Sequence, residues 1–398
     1  MVNIRYWNRY TYVLLLLYVL YDSRGIFFTS GGIISKSLIA ILIAVNLFII
    51  IIYFPMFLNK SIFKPHLFML FFYLISWMLS DKEVFGRIGE AIGSRATLES
   101  LKSFLYANTT FYLFYFLTRK KSLTTNKLIF FAILLMIFNY INMIRNRATL
   151  MNMLDYEAQG MQMATGYVFT ALIIYSLLID NIKYRIIYIV PLLVFTMLSA
   201  KRGAIILALI LTFCILYQTY ITQSKRLKIS NVIILIAILC IASIFVVNFI
   251  SSDEFLMNRL HKTLEGDSSN RQDMYPILLS IIGSTDSLID LFIGRGPAQS
   301  VNLLGNYAHN DWFEAMIDFG IFFTVAMIVF YYRMFKVSVS VSINDKNIIR
   351  LCLIFLLFKS LVSMGIFSLE SYIVMALIGY AYGNHQNKIN ETHIIINR

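Results

Sequence analysis

Long apolar runs separated by short polar clusters recur along the whole chain. Many of them approach the length that a helix needs to cross a bilayer of about 30 Å, and they lack the alternating polarity of barrel strands. We therefore predict an all-α, polytopic integral membrane protein with about twelve transmembrane helices. The predicted spans are 10–28, 33–54, 66–80, 99–117, 127–144, 164–180, 186–200, 203–218, 230–250, 311–332, 350–367 and 371–383.

The composition supports one transmembrane domain over residues 1–398. Hydrophobic residues make up 59% of the 398 positions and charged residues only 14%, and the mean hydropathy is +0.73. No stretch is polar enough for a separate soluble domain, and no internal repeat is evident. The first apolar run, 11–21, lacks a small-residue cleavage site after it, which predicts a retained helix.

The distribution of charge predicts the topology. When the N-terminus is placed in the cytoplasm, the predicted inner segments hold most of the 34 basic residues. The same segments contain only three of the 21 acidic residues, Asp180, Asp345 and Glu391. This is the positive-inside pattern, with both termini cytoplasmic. The net charge of +13 is therefore explained by topology, and nucleic-acid binding is not needed to explain it.

The outer face carries the longer loops. The longest, 251–310, joins the ninth and tenth predicted spans, and the outer loops 81–98 and 145–163 are also sizeable. Inner turns are short, so we expect recognition or chemistry on the outer face. The three cysteines, Cys214, Cys240 and Cys352, lie within apolar runs without the spacing of a metal site or a disulfide.

A polar interruption, SAKRG at 199–203, separates the seventh and eighth predicted spans at the outer face. Gly203 permits a tight turn. Arg202 then lies near a helix N-terminus, where free amides and the helix dipole favour anions. A guanidinium in this position either binds phosphate oxygens in a bidentate manner or snorkels to the interface beside Lys201.

Two further arginines lie in the large outer loop. Arg271 belongs to the polar segment EGDSSNRQDMY, where an arginine is either solvated or bound to an anion. Arg295 stands between Gly294 and Gly296 in LFIGRGPAQS, and Pro297 completes a sharp turn. The strand-turn-helix setting of a nucleotide-binding glycine loop is missing. We therefore predict a turn near the membrane surface and assign no role to Arg295.

The stretch GNYAHNDWFEAMIDFG, residues 305–320, places His309 at the outer entrance of a predicted helix. An imidazole with a near-neutral pKa can act as a general base. A histidine here can also simply cap the helix, with Asn310 as its neighbour in the entry turn. Taken alone, His309 does not distinguish these two roles.

Three carboxylates follow His309. If the helix begins near Asn310, then Asp311, Glu314 and Asp318 lie on one helix face. Asp311 and Glu314 suit the helix dipole in the first turn. Asp318 lies about 10 Å further along and is expected deeper in the membrane, where an ionisable group needs a wet cavity or a basic partner. Lys359 in the eleventh predicted span is one such partner, and sugar hydroxyls in a cavity are another.

These motifs together resemble the O-antigen polymerase and O-antigen ligase superfamily. The pattern is an Arg-Gly pair opening a helix, an arginine in an outer loop, a Gly-x-Gly, a His-Asn, and an apolar helix with an early glycine. The sequence provides KRGAII, NRQDMY, LFIGRGP and AHNDWFEAMIDFGIF in that order, over about residues 199–325. Pro297 directly after the Gly-x-Gly and Arg295 within it depart from the pattern.

The resemblance implies a GT-C-like glycosyltransferase fold in the bacterial inner membrane, with the active site facing the periplasm. It implies transfer of a glycan from undecaprenyl diphosphate, without a metal or another cofactor. Arg202 and Arg271 would bind the donor diphosphate, and His309 would deprotonate the acceptor hydroxyl. The implied partners are undecaprenyl-diphosphate-linked oligosaccharides, membrane lipids and a chain-length regulator protein, and no nucleic acid.

A polymerase must hold two lipid diphosphates, so further outer-face residues become candidates for substrate contact. Four arginines are candidates for a second diphosphate, although simple surface placement accounts for at least two of them: Arg87, Arg95, Arg145 and Arg147. The remaining candidates for substrate binding are Arg295, Asn310, Asp311, Glu314 and Asp318.

Three functions stay open from the sequence. A polymerase and an O-antigen ligase share the donor and nearly the same motifs. Heavy use of Ile, Asn, Lys, Phe and Tyr indicates A/T-rich coding, which resembles polysaccharide-cluster genes and favours the polymerase. A flippase for lipid-linked units should instead place charges at the midplane of several helices, often in two related halves.

Overall fold

The structure of the protein is a computed structural model, which describes residues 4–28, 31–80, 94–151, 165–199, 201–222, 271–285, 287–304, 308–340 and 343–396. The described elements are all helical. In chain order they are α1 (Ile4–Asp22), α2 (Arg24–Phe27), α3 (Ile33–Ile52), α4 (Phe54–Leu58), α5 (Phe63–Leu79), α6 (Ser94–Arg119), α7 (Thr125–Met151), α8 (Thr165–Tyr175) with a 3-10 turn at Ser176–Leu178, α9 (Ile182–Leu198), α10 (Arg202–Thr222), α11 (Arg271–Gly283), α12 (Leu288–Ile293), α13 (Gln299–Leu304), α14 (Asp311–Ser340), α15 (Ile343–Val362) and α16 (Ser371–Ile396).

Several of these helices are suited to a lipid environment, because a helix satisfies all its own backbone hydrogen bonds there. Four are long and apolar enough, by length and composition, to cross a membrane: Ile33–Ile52, Thr125–Arg145, Arg202–Ile221 and Asp311–Ser340, the last of which is interrupted at Gly320. Shorter apolar helices cover Phe63–Leu79, Thr165–Leu178 and Met274–Gly283. These features confirm the prediction of a helical membrane protein. Each predicted span overlaps a described helix except 230–250, which lies outside the described residues.

The chain divides into two compact units that are interleaved in sequence. The first contains Met1–Leu42, Phe114–Gly266 and Leu377–Arg398, and the second contains Ile43–Leu113 and Asp267–Ala376. The single transmembrane domain expected from the composition stays a prediction. Of the residues singled out from the sequence, Arg202 belongs to the first unit, whereas Arg271 and the 305–320 stretch belong to the second.

In the first unit, α8 is the most enclosed helix, with every residue from Gly166 to Tyr175 buried. It can approach the end of α9 and the start of α10 closely because Gly166 has no side chain: a Cβ there would lie 2.3 Å from Ser199 Oγ and 3.2 Å from Ala204 Cβ. Thr170 Oγ1 also donates a hydrogen bond to the Ala204 carbonyl at 3.1 Å. Small and hydroxyl side chains are the usual means of close helix packing in a membrane.

In the second unit, α5 runs antiparallel to the C-terminal part of α14. His66 near the start of α5 packs on Phe330, with ring centroids 4.7 Å apart. Phe72, nearer the end of α5, packs on Phe322 at 5.2 Å. The order of contacts is reversed along the two helices, as antiparallel packing requires.

The loop 251–310, which we predicted on the outer face, is more regular than the sequence indicated. From residue 271 onward, the described part of loop 251–310 contains the helices α11, α12 and α13. The helix at the eleventh predicted span, 350–367, is displaced towards the N-terminus, because α15 covers Ile343–Val362 and the chain turns before α16. Both irregular regions contact the start of α14.

Candidate functional site

Helix α14 is two helices joined by a sharp reversal. Gly320 has φ 73° and ψ −173°, which is not helical. Trp312 and Tyr331 have ring centroids only 6.0 Å apart, whereas 19 residues of straight helix would separate them by about 28 Å. Residues 311–319, the first arm, therefore fold back along 321–340, the second arm. The predicted straight span 311–332 is wrong at this point.

The reversal changes the expected order of depth along this segment. We expected Asp318 to lie deeper along a straight span than Asp311. Instead Asp318 lies at the bend, and Asp311 lies beside the middle of the second arm, where Tyr331 is. Asp311, Glu314 and Asp318 are all buried.

The Gly-x-Gly motif forms the surface against which the bend packs. The Arg295 amide donates to the Ile317 carbonyl at 3.0 Å, and the Gly296 amide donates to the Asp318 carbonyl at 2.8 Å. Gly294 has φ 83°, and a Cβ on it would lie 2.3 Å from the Phe319 amide nitrogen. These backbones meet because glycine occupies both sides, which explains Gly294 and Gly320 together.

Asp318 holds the loop that follows this turn. Its carboxylate accepts hydrogen bonds from the Ala298 amide at 3.0 Å and the Ser300 amide at 2.7 Å, and from Ser300 Oγ at 3.3 Å. It thereby caps the N-terminus of α13 from another part of the chain. Ser76 Oγ of α5 donates to the Asp318 carbonyl at 2.7 Å.

Lys359 is not the partner of Asp318. Its ammonium instead pairs with the Glu370 carboxylate at 3.2 Å and donates to Ser368 Oγ. Asp318 is satisfied by backbone amides and a hydroxyl, so among the described residues it needs no cation. These three donors satisfy the hydrogen-bonding capacity that a buried carboxyl group must fill away from water.

Asp311 holds a different loop. Its carboxylate accepts from the Gly365 amide at 2.8 and 2.9 Å and from the Ile366 amide at 2.6 Å. A Cβ at Gly365 would lie 2.7 Å from Asp311 Oδ2, so glycine allows this approach. The turn between α15 and α16 is thus fixed to the first arm.

The His309 turn is held at both ends. Asn310 Oδ1 accepts from the amides of Trp312 at 3.0 Å and Phe313 at 3.4 Å, which makes Asn310 the N-cap. Glu314 Oε1 accepts from the His309 amide at 3.2 Å. The helix start predicted near Asn310 is confirmed, and Asn310 performs the capping role that we considered for the histidine.

His309 itself adopts an unusual backbone conformation, with φ 50°. This left-handed region is costly for a residue with a Cβ. Strained residues of this kind concentrate at functional sites, where the surrounding structure enforces them. The preceding Ala308 is fully buried against Leu278 and Ile317, whereas His309 is half-buried.

Arg271 begins α11, which packs on the first arm. The Tyr275 ring lies 5.0 Å from Phe313, and Leu278 contacts Ala308. The side chain of Arg271 lies outside the described part of the structure. The structure therefore brings the helix of Arg271 and the turn of His309 together.

Arg202 begins α10, as the sequence predicted. The Lys201 carbonyl accepts from the Ile205 amide at 3.0 Å, so Lys201 occupies the position just before the helix. Arg202 is half-buried. Its guanidinium thus belongs to a helix N-terminus, where anions are favoured.

The structure describes the side chains of two of the remaining candidate arginines, Arg295 and Arg145. Arg295 forms an ion pair with Asp290 at 3.5 Å. Arg145 donates to the carbonyls of Gly25 at 3.2 Å and Ile26 at 3.4 Å, which ties α7 to α2. Three others have no described side chain: Arg95 on α6, Arg147 on α7, and Arg87, which lies entirely outside the described residues.

The structure contains a buried hydrogen-bond network that we did not predict from the sequence. His66 bonds to Tyr112 OH at 2.9 Å and to Asn108 Oδ1 at 3.2 Å, and Asn108 Nδ2 donates to the Ile366 carbonyl at 3.0 Å. Since the Ile366 amide bonds to Asp311, the network continues to the first arm. The signal was the spacing of Asn108 and Tyr112, which puts both on one face of α6.

The described residues contain no group of three or more His, Cys, Asp or Glu that could hold a metal ion. Comparison with known proteins adds no assignment: no protein-family model matches the chain, and no curated protein matches it significantly.

Proposed function

We propose that this chain is a glycosyltransferase that polymerises lipid-linked O-antigen repeat units. It would use about twelve spans and a GT-C-like fold in the bacterial inner membrane, with cytoplasmic termini and its active site facing the periplasm. The donor is a glycan on undecaprenyl diphosphate, and the acceptor is the non-reducing end of one lipid-linked repeat unit. His309 acts as the base, and Arg202 and Arg271 bind the donor diphosphate.

One observation supports this proposal best: the three carboxylates near His309 all bind backbone amides. Asp311 binds the 365–366 amides, Glu314 binds the His309 amide, and Asp318 binds the amides that start α13. Each holds a loop in place. His309 is the half-buried ionisable group of the motif, and its turn is fixed by Asn310 and Glu314.

The proposed reaction is a single displacement with inversion. The imidazole of His309 takes the proton from the acceptor hydroxyl, whose oxygen forms a bond to the anomeric carbon of the donor. The bond from that carbon to the diphosphate oxygen breaks, and undecaprenyl diphosphate leaves with the electron pair. Guanidinium groups stabilise the charge that develops on this leaving group.

Replacing His309 with Ala tests the base directly. We expect a well-expressed H309A variant in the native host to give lipopolysaccharide with core plus a single repeat and no long-chain ladder. The matched control is H385A, which removes a histidine of the C-terminal part of α16 and should leave the ladder normal. A normal ladder in H309A would remove His309 from catalysis.

The same variant distinguishes the related functions, when the gel is combined with the location of the lipid-linked glycan. Bare core with carrier-linked glycan accumulating outside would identify an O-antigen ligase with the same donor. Repeat units trapped on the cytoplasmic side would identify a flippase. A covalent enzyme intermediate bearing the donor sugar would contradict the single displacement.

The diphosphate assignment is tested by conservative replacement. R202A and R271A should each shorten the ladder. R202K and R271K should restore it only partly, because lysine keeps the charge but loses the bidentate fork. Full activity in all four variants would contradict the assignment.

A further inference from the structure

An apolar groove of about 780 Å³ lies in the second unit, between α5 and the second arm of α14. Its volume falls within the range of roughly 300–1,000 Å³ that is usual for small-molecule sites. The side chains along it include Phe68, Phe72, Phe322, Val325 and Val329. Phe68, Phe322 and Val325 are exposed, so the apolar wall is open to the surroundings.

The groove is polar at one end only. Asn59, Ser61, Lys64 and Arg333 line it there. Lys64 precedes His66 and Arg333 follows Phe330, and the His66 and Phe330 rings are in contact at 4.7 Å. Both cations therefore lie beyond that contact, away from the Phe72–Phe322 contact at the other end. None of the described residues that line the groove is acidic.

We propose that this groove binds an anionic phospholipid, with its phosphate at the Lys64 and Arg333 end and an acyl chain along the phenylalanine wall. Two cations next to an apolar channel match the two chemical parts of such a lipid. Basic pockets between transmembrane helices are known to take anionic head groups at the cytoplasmic side. The predicted topology places Lys64 and Arg333 on that side, so the site is separate from the proposed periplasmic chemistry.

The groove is long enough to hold an acyl chain as well as a lipid head group. From Lys64 to Phe72 is eight residues, or about 12 Å of helix. The neighbouring Phe322, Val325 and Val329 follow each other at three- and four-residue spacing on the second arm, so they form one continuous stripe. A free phosphate would use only the basic end and leave this stripe uncovered.

Native mass spectrometry of the full chain in detergent tests the site with phosphatidylglycerol as the probe and phosphatidylcholine as the comparison lipid. We expect the wild type to retain phosphatidylglycerol preferentially. The variant K64A/R333A should lose about 30-fold in affinity, since each basic residue near a membrane surface contributes about a factor of five. The control K120A/K336A removes two exposed lysines outside the groove and should bind as the wild type does.

Two further measurements complete the test. V325W places a large ring in the groove from an exposed position and should reduce phosphatidylglycerol binding without unfolding the chain. Glycerol phosphate, which has a head group but no acyl chain, should not compete. Equal binding by K64A/R333A and K120A/K336A would overturn the proposal, as would full binding by V325W or effective competition by glycerol phosphate.

Discussion

The two arms of α14 differ in what holds them, although they form one apolar run in the sequence. The first arm, 311–319, is attached through buried carboxylates to the backbone amides of loops 298–300, 308–309 and 365–366. The second arm, 321–340, packs its rings against α5. The first arm therefore organises loops, and the second arm provides the rigid wall beside them.

This difference has a general physical reason. Loops carry backbone amides that must be paired when they are buried, and a carboxylate can pair two or three at once. A helix has paired its own amides and offers only side-chain surface. A short arm that carries buried carboxylates, folded back on a longer apolar arm, therefore allows irregular chain to lie inside a helical protein.

The largest effect is expected when the reversal between the arms is removed. In G320A the new Cβ would lie 2.5 Å from the Phe292 carbonyl carbon and 2.6 Å from the Gly294 amide nitrogen, at φ 73°. We expect a loss of about 3 kcal/mol or more in unfolding free energy. Thermal unfolding in detergent measures it. A G320A protein as stable as the wild type would show that the bend relaxes freely.

The next effect compares one acid of the first arm with a polar residue of the second. D318A leaves the buried amides of Ala298 and Ser300 without their acceptor, which should cost about 3 kcal/mol. The control S338A removes a hydroxyl that, among the described residues, bonds within its own helix to the Phe335 carbonyl, and it should cost less than about 1 kcal/mol. Similar losses in the two variants would remove the distinction between the arms.

The turn that Asp311 holds is also held by an ion pair, which gives a pH-dependent test. Burial alone would raise the pKa of Glu370, but Lys359 and hydrogen bonds outweigh it and hold this pKa below its usual value of 4.5. A carboxyl with a lowered pKa contributes stability above pH 4.5, and that contribution is lost as the pH falls through the lowered value.

E370Q should therefore lower the thermal midpoint at neutral pH, and its difference from the wild type should shrink at about pH 3. Melting curves at the two pH values measure this. An E370Q difference that stays constant with pH would show that the pair does not titrate in this way.

The smallest effect is expected at His309, where two variants distinguish the cost of the strained backbone from the loss of the imidazole. Glycine adopts the φ of 50° at position 309 without the steric cost that alanine has there. H309G should therefore be about 1 kcal/mol more stable than H309A, although both lack the imidazole and should lack the glycan ladder. Parallel melting curves and gels measure the two properties. Equal stability would show that the turn is not strained.

Local features of the site could be read from the sequence. The helix starts at Arg202 and near Asn310 follow from short-range chemistry, because a cap and the helix that it begins are neighbours in the chain. The helical character of the spans follows from the apolar runs. The acids also fell on one face of the first arm, as their spacing predicted.

The partners of those acids could not be read in the same way. From the sequence, the only partners within the chain that can be proposed for a buried acid are basic side chains, and Lys359 was therefore a reasonable candidate for Asp318. The observed donors are backbone amides, and Ser300 and Gly365 lie 18 and 54 residues from the acids that they bind. Every residue has an amide, so no residue type marks the donor.

The sequence by itself determined that this is a helical membrane protein, where its basic turns lie, and which residues begin the helices of the candidate site. Only the tertiary structure decided that residues 311–340 reverse at Gly320, because the reversal depends on a glycine turn more than twenty residues earlier that leaves room for it. The hydrophobicity of a segment indicates that it prefers lipid, but it does not indicate whether the chain continues straight or reverses within the segment. The direction is set by backbone contacts between distant segments, and the reversal places Trp312, at the start of the first arm, beside Tyr331 in the middle of the second arm.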